Sequence, residues 1–400
     1  MITLCDKKQC TGCAACIQAC PRGCISYEED SEGFYYPHID NNNCVACGKC
    51  LSVCPVINRP DIDLLDNSKV YAIYSSNQQI LTKATSGGIF SQIAHVLIKN
   101  GYVVYGTAFD QKWNLKCTRA ENEEQLDKLV GSKYVQAFPN AVYKSIKMDL
   151  SKGTRVYYCG TPCQIAGLYA FLGKDTDGLI TSDIVCHGVP SNKLWRAYIE
   201  YLKNKGINIT SYSFRDKSKW GWGSWGSYTY IKNNTQRKHY FPVAADYYYS
   251  LFFKENCLRE SCYKCEFNGL KRLSDFTIGD YWGIDNAHPN FYNRNGVSVV
   301  FLNTDKAVKL FADNVNNFVY IESTSKLATS GNKTIIESTK RPDSRNQLYK
   351  DLETIGFEKT AKKYVHIRRI IPYISRYIPR GFKKKLSKKI PKLSRKMVDS

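Results

Sequence analysis

Two short cysteine runs near the N-terminus have the residue types and the spacing of a metal centre. Both runs read C-x2-C-x2-C-x3-C-P. The first run holds Cys10, Cys13, Cys16 and Cys20, and the second holds Cys44, Cys47, Cys50 and Cys54. In two-cluster bacterial ferredoxins, thiolates at this spacing ligate iron–sulfur cubes, and the fourth cysteine of each run serves the other cluster. The repeat therefore predicts two 4Fe–4S clusters that carry single electrons.

This crossover divides the eight cysteines between two clusters. Cluster I takes Cys10, Cys13, Cys16 and Cys54, and cluster II takes Cys44, Cys47, Cys50 and Cys20. Zinc is the alternative metal, but zinc sites usually join two C-x2-C pairs across a long spacer. Gly12 and Gly48 let the backbone approach the sulfurs, whereas Cys5 and Cys24 fall outside the pattern and are predicted to be packing residues.

The composition indicates a large protein from a reducing compartment. The chain has 400 residues, 43% of them hydrophobic, and 17 cysteines. This is enough for a large core and for more than one domain. The first residues contain no apolar signal segment, and no apolar run is long enough to span a bilayer. We therefore expect a cytoplasmic protein whose cysteines serve as ligands rather than as disulfides.

The positive charge is concentrated at the C-terminal end. Of the net charge of +21, the segment from Lys359 onward contributes fifteen lysines and arginines against one acid. The body is therefore not expected to bind nucleic acid. Residues 366–397 mix basic with apolar side chains and can rest on an anionic membrane surface. We expect either a peripheral contact with the inner face of the membrane or a disordered basic tail.

The middle of the chain alternates between strand and helix patterns after a polar linker at residues 57–68. Strand patterns include residues 102–110, 154–160 and 179–188. Helix patterns follow them, and Thr161 and Ser191 are the predicted N-caps of two of these helices. This order predicts an α/β or α+β fold with a mostly parallel or mixed sheet.

Several loops of this pattern fall at the carboxyl ends of strands, where ligands bind in open α/β sheets. Cys159 and Cys163 lie at one strand end, Cys186 and His187 at the next, and a glycine-rich turn at residues 85–90 opens a helix. These loops are candidates to converge on a dinucleotide-like cofactor.

A further cysteine run has the C-x4-C-x2-C spacing of plant-type ferredoxins. It holds Cys257, Cys262 and Cys265. A fourth ligand can come from Cys186, Cys163 or Cys159. A zinc site or free buried thiols are the alternatives.

Seven segments of the body stand out in order along the chain: TSGGIFSQIAHVLI, GSKYVQ, GTPCQIAGL, DIVCHGVPS, FRDKSKWGW, CLRESCYKCEF and RLSDFTIGDYWG. In type and order they resemble the coenzyme F-420 hydrogenase/dehydrogenase beta-subunit family, and the resemblance covers roughly residues 1 to 305. It is closest to bacterial members with a fused ferredoxin, which are associated with polysaccharide biosynthesis. The resemblance implies a ferredoxin domain at residues 1–60, an N-terminal family domain at 70–150 and a C-terminal family domain at 151–350. The charge pattern adds the basic tail at 359–400.

The resemblance also implies cofactors and residues. It implies FAD, which takes electrons singly from clusters and delivers them in pairs. The flavin neighbourhood falls on Ser86, Gly87, Gly88, Lys133, Tyr134, Gly160, Thr161, Pro162 and Gln164. A third 4Fe–4S cluster falls on Cys186, Cys257, Cys262 and Cys265, with Cys163 as a rival ligand.

Two functions are compatible with these features. The first is an iron–sulfur flavoprotein oxidoreductase that acts on a small organic substrate, such as a sugar or glycan precursor, with electrons from a reduced ferredoxin or flavodoxin. The second is a non-catalytic electron-transfer subunit of a larger hydrogenase or dehydrogenase complex that uses deazaflavin coenzyme F-420. His187 is a candidate proton donor, and Lys133 is a candidate partner of a phosphate or reduced flavin; a structural histidine and a solvated lysine are the alternatives.

Overall fold

A computed structural model describes residues 2–366 of the chain, so almost all of the basic tail lies outside the described residues. The fold divides into two compact units. The first unit consists of Met1–Val130, Val135–Asn192 and Leu258–Lys340. The second unit consists of Gly131–Tyr134, Lys193–Cys257 and Arg341–Ser400.

The described strands are β1 (Ile25–Glu29), β2 (Tyr35–Ile39), β3 (Lys69–Ser75), β4 (Val103–Phe109), β5 (Leu115–Ala120), β6 (Val156–Gly160), β7 (Leu179–Ile184), β8 (Asn208–Ser213), β9 (Trp225–Lys232), β10 (Thr235–Pro242), β11 (Phe276–Asp280), β12 (Ser298–Leu302) and β13 (Phe318–Ser323). The described helices are α1 (Ala15–Ala19), α2 (Lys49–Ser52), α3 (Gln78–Lys83), α4 (Ile89–Lys99), α5 (Glu123–Leu129), α6 (Val142–Ser151), α7 (Pro162–Leu172), α8 (Asn192–Asn204), α9 (Tyr247–Phe253), α10 (Ile284–Ala287), α11 (Asp305–Asp313), α12 (Ser325–Gly331), α13 (Arg345–Thr354) and α14 (Gly356–Tyr364). None of these helices is both long and apolar enough to cross a membrane.

The first unit is built on an eight-stranded sheet of order β13-β3-β12-β11-β7-β6-β4-β5. Its centre is parallel, because β4, β6, β7 and β11 run in the same direction. The flanking strands β5, β12, β3 and β13 pair antiparallel. The mixed sheet predicted from the alternating pattern is confirmed. Gly160 lies opposite Asp183, so the carboxyl ends of β6 and β7 are adjacent.

Helices cover both faces of this sheet, because alternate residues of the buried strands point in opposite directions. Val104 and Tyr157 face one core, which α4, α5 and α11 close. Their neighbours Val103 and Tyr158 face the other core, which α6 and α7 close. The result is a three-layer arrangement around a central sheet.

The N-terminal cysteine region belongs to the first unit and packs on the second of these faces. Ala15 of α1 and Val53, which follows α2, are buried in the same core as helices α6 and α7. The Gln18 side chain accepts a hydrogen bond from the backbone N–H of Tyr143 at 2.8 Å. The linker is also held, because Leu65 donates its N–H to the Asn303 carbonyl at 2.8 Å. The two cysteine runs are therefore fixed against the body of the unit.

The second unit contains a small antiparallel sheet of order β10-β9-β8 and the helices α8, α9, α13 and α14. Strands β9 and β10 join through Asn233 and Asn234, both with positive φ, as a two-residue hairpin requires. The two strands therefore form a tight hairpin. Trp195 of α8 is fully buried and packs edge-on against Tyr248 of α9, with ring centroids 4.9 Å apart.

Candidate functional site

The two cysteine runs adopt the same backbone conformation. In the first run, Gly12 and Ala14 have φ of 71° and 68°, and at the equivalent positions of the second run Ala46 and Gly48 have φ of 51° and 73°. Each run then enters a short helix directly after its left-handed residue. The sequence repeat is therefore a structural repeat. The sequence shows only half of this pattern, because alanine takes the place of glycine at one left-handed position of each run.

One cavity in this region is lined by the four cysteines assigned to cluster I, which are Cys10, Cys13, Cys16 and Cys54. Three of these ligands come from the first run and one from the second, as the crossover rule expects. Cys5 also lines the cavity. Hydrogen bonds with Cys10 and Cys54, together with burial, raise the pKa of the Cys5 thiol. Cys5, which was predicted to be a packing residue, thus lies beside the cysteines assigned to cluster I.

The cysteines assigned to cluster II lie at a more exposed position. Cys50 is buried in a small hydrophobic cluster with Cys24 and Ile25, Cys20 and Cys44 pack against this cluster, and Cys47 is exposed. Burial raises the pKa of Cys50, and the nearby Cys44 and Cys47 raise it further. Cys24 lies beside them, with its sulfur 3.4 Å from that of Cys20. A cluster held by this set would be the one closer to solvent.

A third cysteine group forms in the body of the first unit. It consists of Cys163 in the first turn of α7, Cys186 after β7, and Cys262 and Cys265 in and after a 3-10 turn at Glu260–Lys264. Burial raises the pKa of Cys186 well above its usual range, and Cys262, Cys163 and Cys265 raise it further. Burial also raises the pKa of Cys262 to about 12, with Cys265 and Cys163 as the nearest cysteines that add to the shift. We call these four residues the body cysteine group.

The body cysteine group differs from the predicted set by one residue. Cys257 belongs to the second unit, where it is fully buried and its carbonyl accepts a hydrogen bond from the Tyr349 hydroxyl at 2.7 Å. Burial raises its pKa, and the charge of Arg345 opposes that rise. The fourth cysteine of the group is Cys163, the rival ligand in the sequence analysis. Cys159, the remaining alternative, lies in β6 opposite Ser182.

Gly188 explains how the loop after β7 approaches the cysteine run. A Cβ atom at Gly188 would lie 2.7 Å from the Leu258 side chain and 3.2 Å from the Cys262 Cβ. The φ of Gly188 is also positive. Only glycine fits this contact without strain, and it lets Cys186 and Cys262 share one site.

The cysteines are not arranged around a single ion. Within residues 2–366, no group of three or more His, Cys, Asp or Glu side chains is placed to hold one metal ion. A cube distributes its four thiolates over four irons, so the sulfurs stand further apart than those around one zinc. The donor set, four cysteines and no carboxylate, fits an iron–sulfur cube.

Several of the residues assigned to the flavin lie at the start of α7 and form hydrogen bonds with one another. Thr161 is the N-cap, and its N–H donates to the Gln164 side-chain oxygen at 2.9 Å. The Thr161 hydroxyl lies 3.1 Å from the same oxygen. A Cβ at Gly160 would meet that oxygen at 3.1 Å. Pro162 begins the helix, as predicted, so this turn is a closed capping motif.

The glycine-rich turn before α4 packs against the sheet. A Cβ at Gly87 would lie 2.4 Å from the Ile73 carbonyl oxygen. The backbone N–H of Gly87 donates a hydrogen bond to the Ser298 hydroxyl at 2.9 Å. The Ser86 hydroxyl donates to the Val297 carbonyl at 3.0 Å. Gly88 has φ of 81° and precedes the first residue of α4. The close packing of this turn on β3 and β12 therefore explains why residue 87 is a glycine.

The remaining predicted residues lie in different surroundings. Lys133 and Tyr134 belong to the second unit, where Lys133 donates to the Gly131 carbonyl at 3.0 Å. Tyr134 stacks on Phe252 with ring centroids 4.6 Å apart. His187 belongs to the first unit, and burial lowers its pKa, which favours the neutral imidazole. Its carbonyl accepts a hydrogen bond from the Thr339 hydroxyl at 3.1 Å.

A buried ion pair at the carboxyl end of the parallel strands was not foreseen. Asp183 of β7 is fully buried, and Arg272 lies 3.7 Å away. Burial raises the pKa of Asp183, and the charge of Arg272 opposes the rise. The sequence gives no signal for this pair, because 89 positions separate its members and only the strand order brings them together.

The mixed sheet and the repeated cysteine runs together define an iron–sulfur oxidoreductase or electron-transfer protein. Family models agree with this class. A 4Fe-4S dicluster domain matches residues 9–58. The N-terminal and C-terminal models of the coenzyme F420 hydrogenase/dehydrogenase beta subunit match residues 70–143 and 153–326. The chain belongs to the coenzyme F420 hydrogenase/dehydrogenase beta-subunit family and carries a dicluster domain ahead of the family region.

Comparison with solved structures finds a chain of the F420-reducing [NiFe] hydrogenase complex from Methanosarcina barkeri. The two chains share 17% sequence identity with a TM-score of 0.45, over 78% of this chain and 99% of that one. The comparison with curated proteins gives no match.

Proposed function

We propose that the chain is an iron–sulfur flavoprotein oxidoreductase. Electrons enter at cluster II, pass through cluster I to a third cluster held by the body cysteine group, and reach a flavin that exchanges electron pairs with a small organic substrate. Family membership supports an oxidoreductase, and the dicluster domain supports the first two clusters. A glycan precursor as substrate, and a reduced ferredoxin or flavodoxin as donor, belong to the same proposal.

One observation carries the proposed order of the clusters. Cys163 and Gly167 lie four residues apart in α7 and so share one face of that helix. Cys163 belongs to the body cysteine group, and a Cβ at Gly167 would lie 2.9 Å from Cys13 Cβ and 3.1 Å from Cys13 Sγ. One helical turn, about 6 Å of rise, thus separates the two ligand positions. Burial raises the pKa of Cys13 to about 12, and the nearby thiols, Cys163 among them, add to the rise.

The direction of the path follows from exposure. Cys47 of cluster II is exposed, whereas Cys10 and Cys54 of cluster I are buried. A mobile electron carrier can therefore approach cluster II most closely, and cluster I lies between cluster II and the body of the unit. The first turn of α7 also favours an anionic cluster, since the N-terminal end of a helix carries partial positive charge.

When bound, FAD would accept electrons one at a time from the clusters and deliver them in pairs to the substrate. Support for it comes from family membership and from the position of the β6–α7 turn at the carboxyl ends of parallel strands. The N–H groups of Thr161 and Gly87 already have partners within the protein. A flavin in this region would be bound mainly by other groups than these two.

Anaerobic purification followed by flavin analysis tests the proposal. We expect about one FAD per chain, released by acid and identified by chromatography, and visible bands of flavin and clusters that bleach together with dithionite. Cys163→Ala should keep the flavin and slow its reduction by a reduced ferredoxin, because the third cluster is lost. Protein with full clusters and no flavin would refute the flavoprotein assignment and leave an electron-transfer subunit.

A further inference from the structure

Arg259 is a buried cation between two groups of cysteines. Its side chain is fully buried, and it lies in the cysteine run three residues before Cys262. A buried charge is costly unless it is compensated by hydrogen bonds or by an opposite charge. Within the described residues, the guanidinium donates to two backbone carbonyls, contacts aromatic rings and lies near the Cys10 thiol. No carboxylate is among these groups.

The guanidinium reaches from the body of the first unit into the first cysteine run. Its Nε donates to the Cys10 carbonyl at 2.7 Å, and its Nη1 donates to the Tyr35 carbonyl at 3.1 Å. The ring of Tyr36 covers it at 4.0 Å. A Cβ at Gly12 would lie 3.2 Å from both the Arg259 Cζ and Nη1. The first cysteine run therefore packs directly against the guanidinium of Arg259.

The backbone of Arg259 is fixed by the loops that carry the body cysteine group. Its N–H donates to the Val189 carbonyl at 3.0 Å, three residues after Cys186. Its carbonyl accepts a hydrogen bond from the Cys262 N–H at 2.9 Å. Arg259 thus connects three segments. Its backbone binds the loop that carries Cys186 and the turn that carries Cys262, and its side chain binds the carbonyl of Cys10.

Arg259 lies between residues of both cysteine groups. Its guanidinium contacts the first cysteine run at Cys10 and Gly12, and its backbone binds the loops that carry Cys186 and Cys262. A guanidinium at this position can stabilise negative charge on a cluster held by either group.

One donor of this side chain remains available. Nη2 of Arg259 is buried and has no hydrogen-bond partner among the described residues. A buried N–H without an acceptor has lost its hydrogen bonds to water without replacing them, and a bound acceptor would remove that cost. A cysteinyl or inorganic sulfur of a cluster is an acceptor of the right charge, and hydrogen bonds to sulfur are a known means of setting cluster potentials.

We infer that Arg259 is a positioning residue that holds cluster I against the body cysteine group and raises the reduction potential of both clusters. The inference rests on the proposed third cluster. Reduction adds one negative charge to a cube. A fixed guanidinium between two cubes stabilises the reduced form of each, and the effect is strong where water is excluded. Cluster II lies at the exposed end, and its potential should be set mainly by solvent.

Potentiometric titration of the full chain, followed by electron paramagnetic resonance, tests this inference. Arg259→Gln should lower the midpoint potentials of two clusters and leave the third unchanged. Arg259→Lys keeps the charge, and so should bring both potentials back toward the wild-type values. Arg345→Gln is the matched control, because Arg345 is equally buried but lies beside Cys257 in the second unit. It should leave all potentials unchanged.

The inference is overturned if Arg259→Gln with full iron content shows wild-type potentials, if all clusters shift alike, or if Arg345→Gln reproduces the shift. If Arg259→Gln fails to hold its iron, Arg259→Lys decides: potentials as in the wild type support the inference, and lowered potentials overturn it. Wild-type protein with only two clusters would refute the third cluster and with it the claim that Arg259 acts on two. Absence of flavin would refute only the flavoprotein assignment, since the cluster potentials are measured without it.

Discussion

Gly167 is the position at which α7 touches the ferredoxin region most closely. In Gly167→Ala, the new Cβ would lie 2.7 Å from the Tyr143 hydroxyl oxygen, 2.9 Å from Cys13 Cβ and 3.1 Å from Cys13 Sγ. Tyr143 is fully buried, and its hydroxyl donates to the Gln164 carbonyl at 2.9 Å, so it cannot turn away without losing that bond. The displacement should therefore fall on Cys13.

We expect Gly167→Ala to lose little folding stability but to lose iron from cluster I. Overpacking of this kind costs about 1–3 kcal/mol. Replacing a glycine within a helix by alanine also stabilises the helix by about 1 kcal/mol, which offsets part of this cost. The net cost is roughly 0–2 kcal/mol. A shift of a ligand sulfur, however, acts directly on cluster I, so we expect Gly167→Ala to be purified folded but with an altered or missing cluster I signal.

Gly173→Ala provides the control, because this glycine follows the last residue of α7 and no atom would lie within 4 Å of an added Cβ. Its φ of 80° makes alanine unfavourable by roughly 1 kcal/mol. The two variants should thus have similar melting temperatures. Iron per chain and the resonance spectrum of the reduced protein are the measurements. If Gly167→Ala kept its full iron and a wild-type spectrum, or if both variants lost iron equally, the contact would not position cluster I.

Two further predictions concern the second unit and the body cysteine group. Burial raises the pKa of Asp246 from 3.8 to about 6, while its hydrogen bond from Tyr198 opposes the rise. Because the folded state then binds a proton more tightly than the unfolded state, stability should fall as the pH rises from about 4 to about 6, by about 3 kcal/mol in total. Asp246→Asn should remove this slope, measured as melting temperature against pH from about 4 to about 7; an unchanged slope would contradict the assignment. For the cysteines, Cys163→Ala should lower the iron content by about four per chain, whereas Cys257→Ala should leave it unchanged; the reverse result would restore Cys257 as the ligand.

The sequence was sufficient for features that depend on local spacing. The strand-to-helix turn at Thr161 and Pro162 and the mixed sheet follow from short-range patterns, and so does the structural repeat of the two cysteine runs. These signals are strong because backbone geometry alone relates such residues to one another.

The sequence was not sufficient for contacts that depend on strand order. Cys163 joins Cys186 because β6 and β7 are neighbours in the sheet, and no spacing rule relates the two cysteines to Cys262. Cys257 has the spacing of a ligand, but the charged group that affects its pKa is Arg345 and not a cysteine of the body cysteine group. The burial of Arg259 is also invisible in the sequence, because an arginine between cysteines carries no local mark of burial. Only the fold places its side chain against Cys10.

The iron and acid-labile sulfide content of the anaerobically purified wild-type chain tests the central claim most directly. Three cubes require about twelve irons and twelve sulfides per chain. We predict this value, since the two ferredoxin clusters and the body cysteine group each provide four cysteines. About eight irons in a fully reconstituted chain would contradict the account, because electrons would then have no third cluster between the ferredoxin region and the flavin.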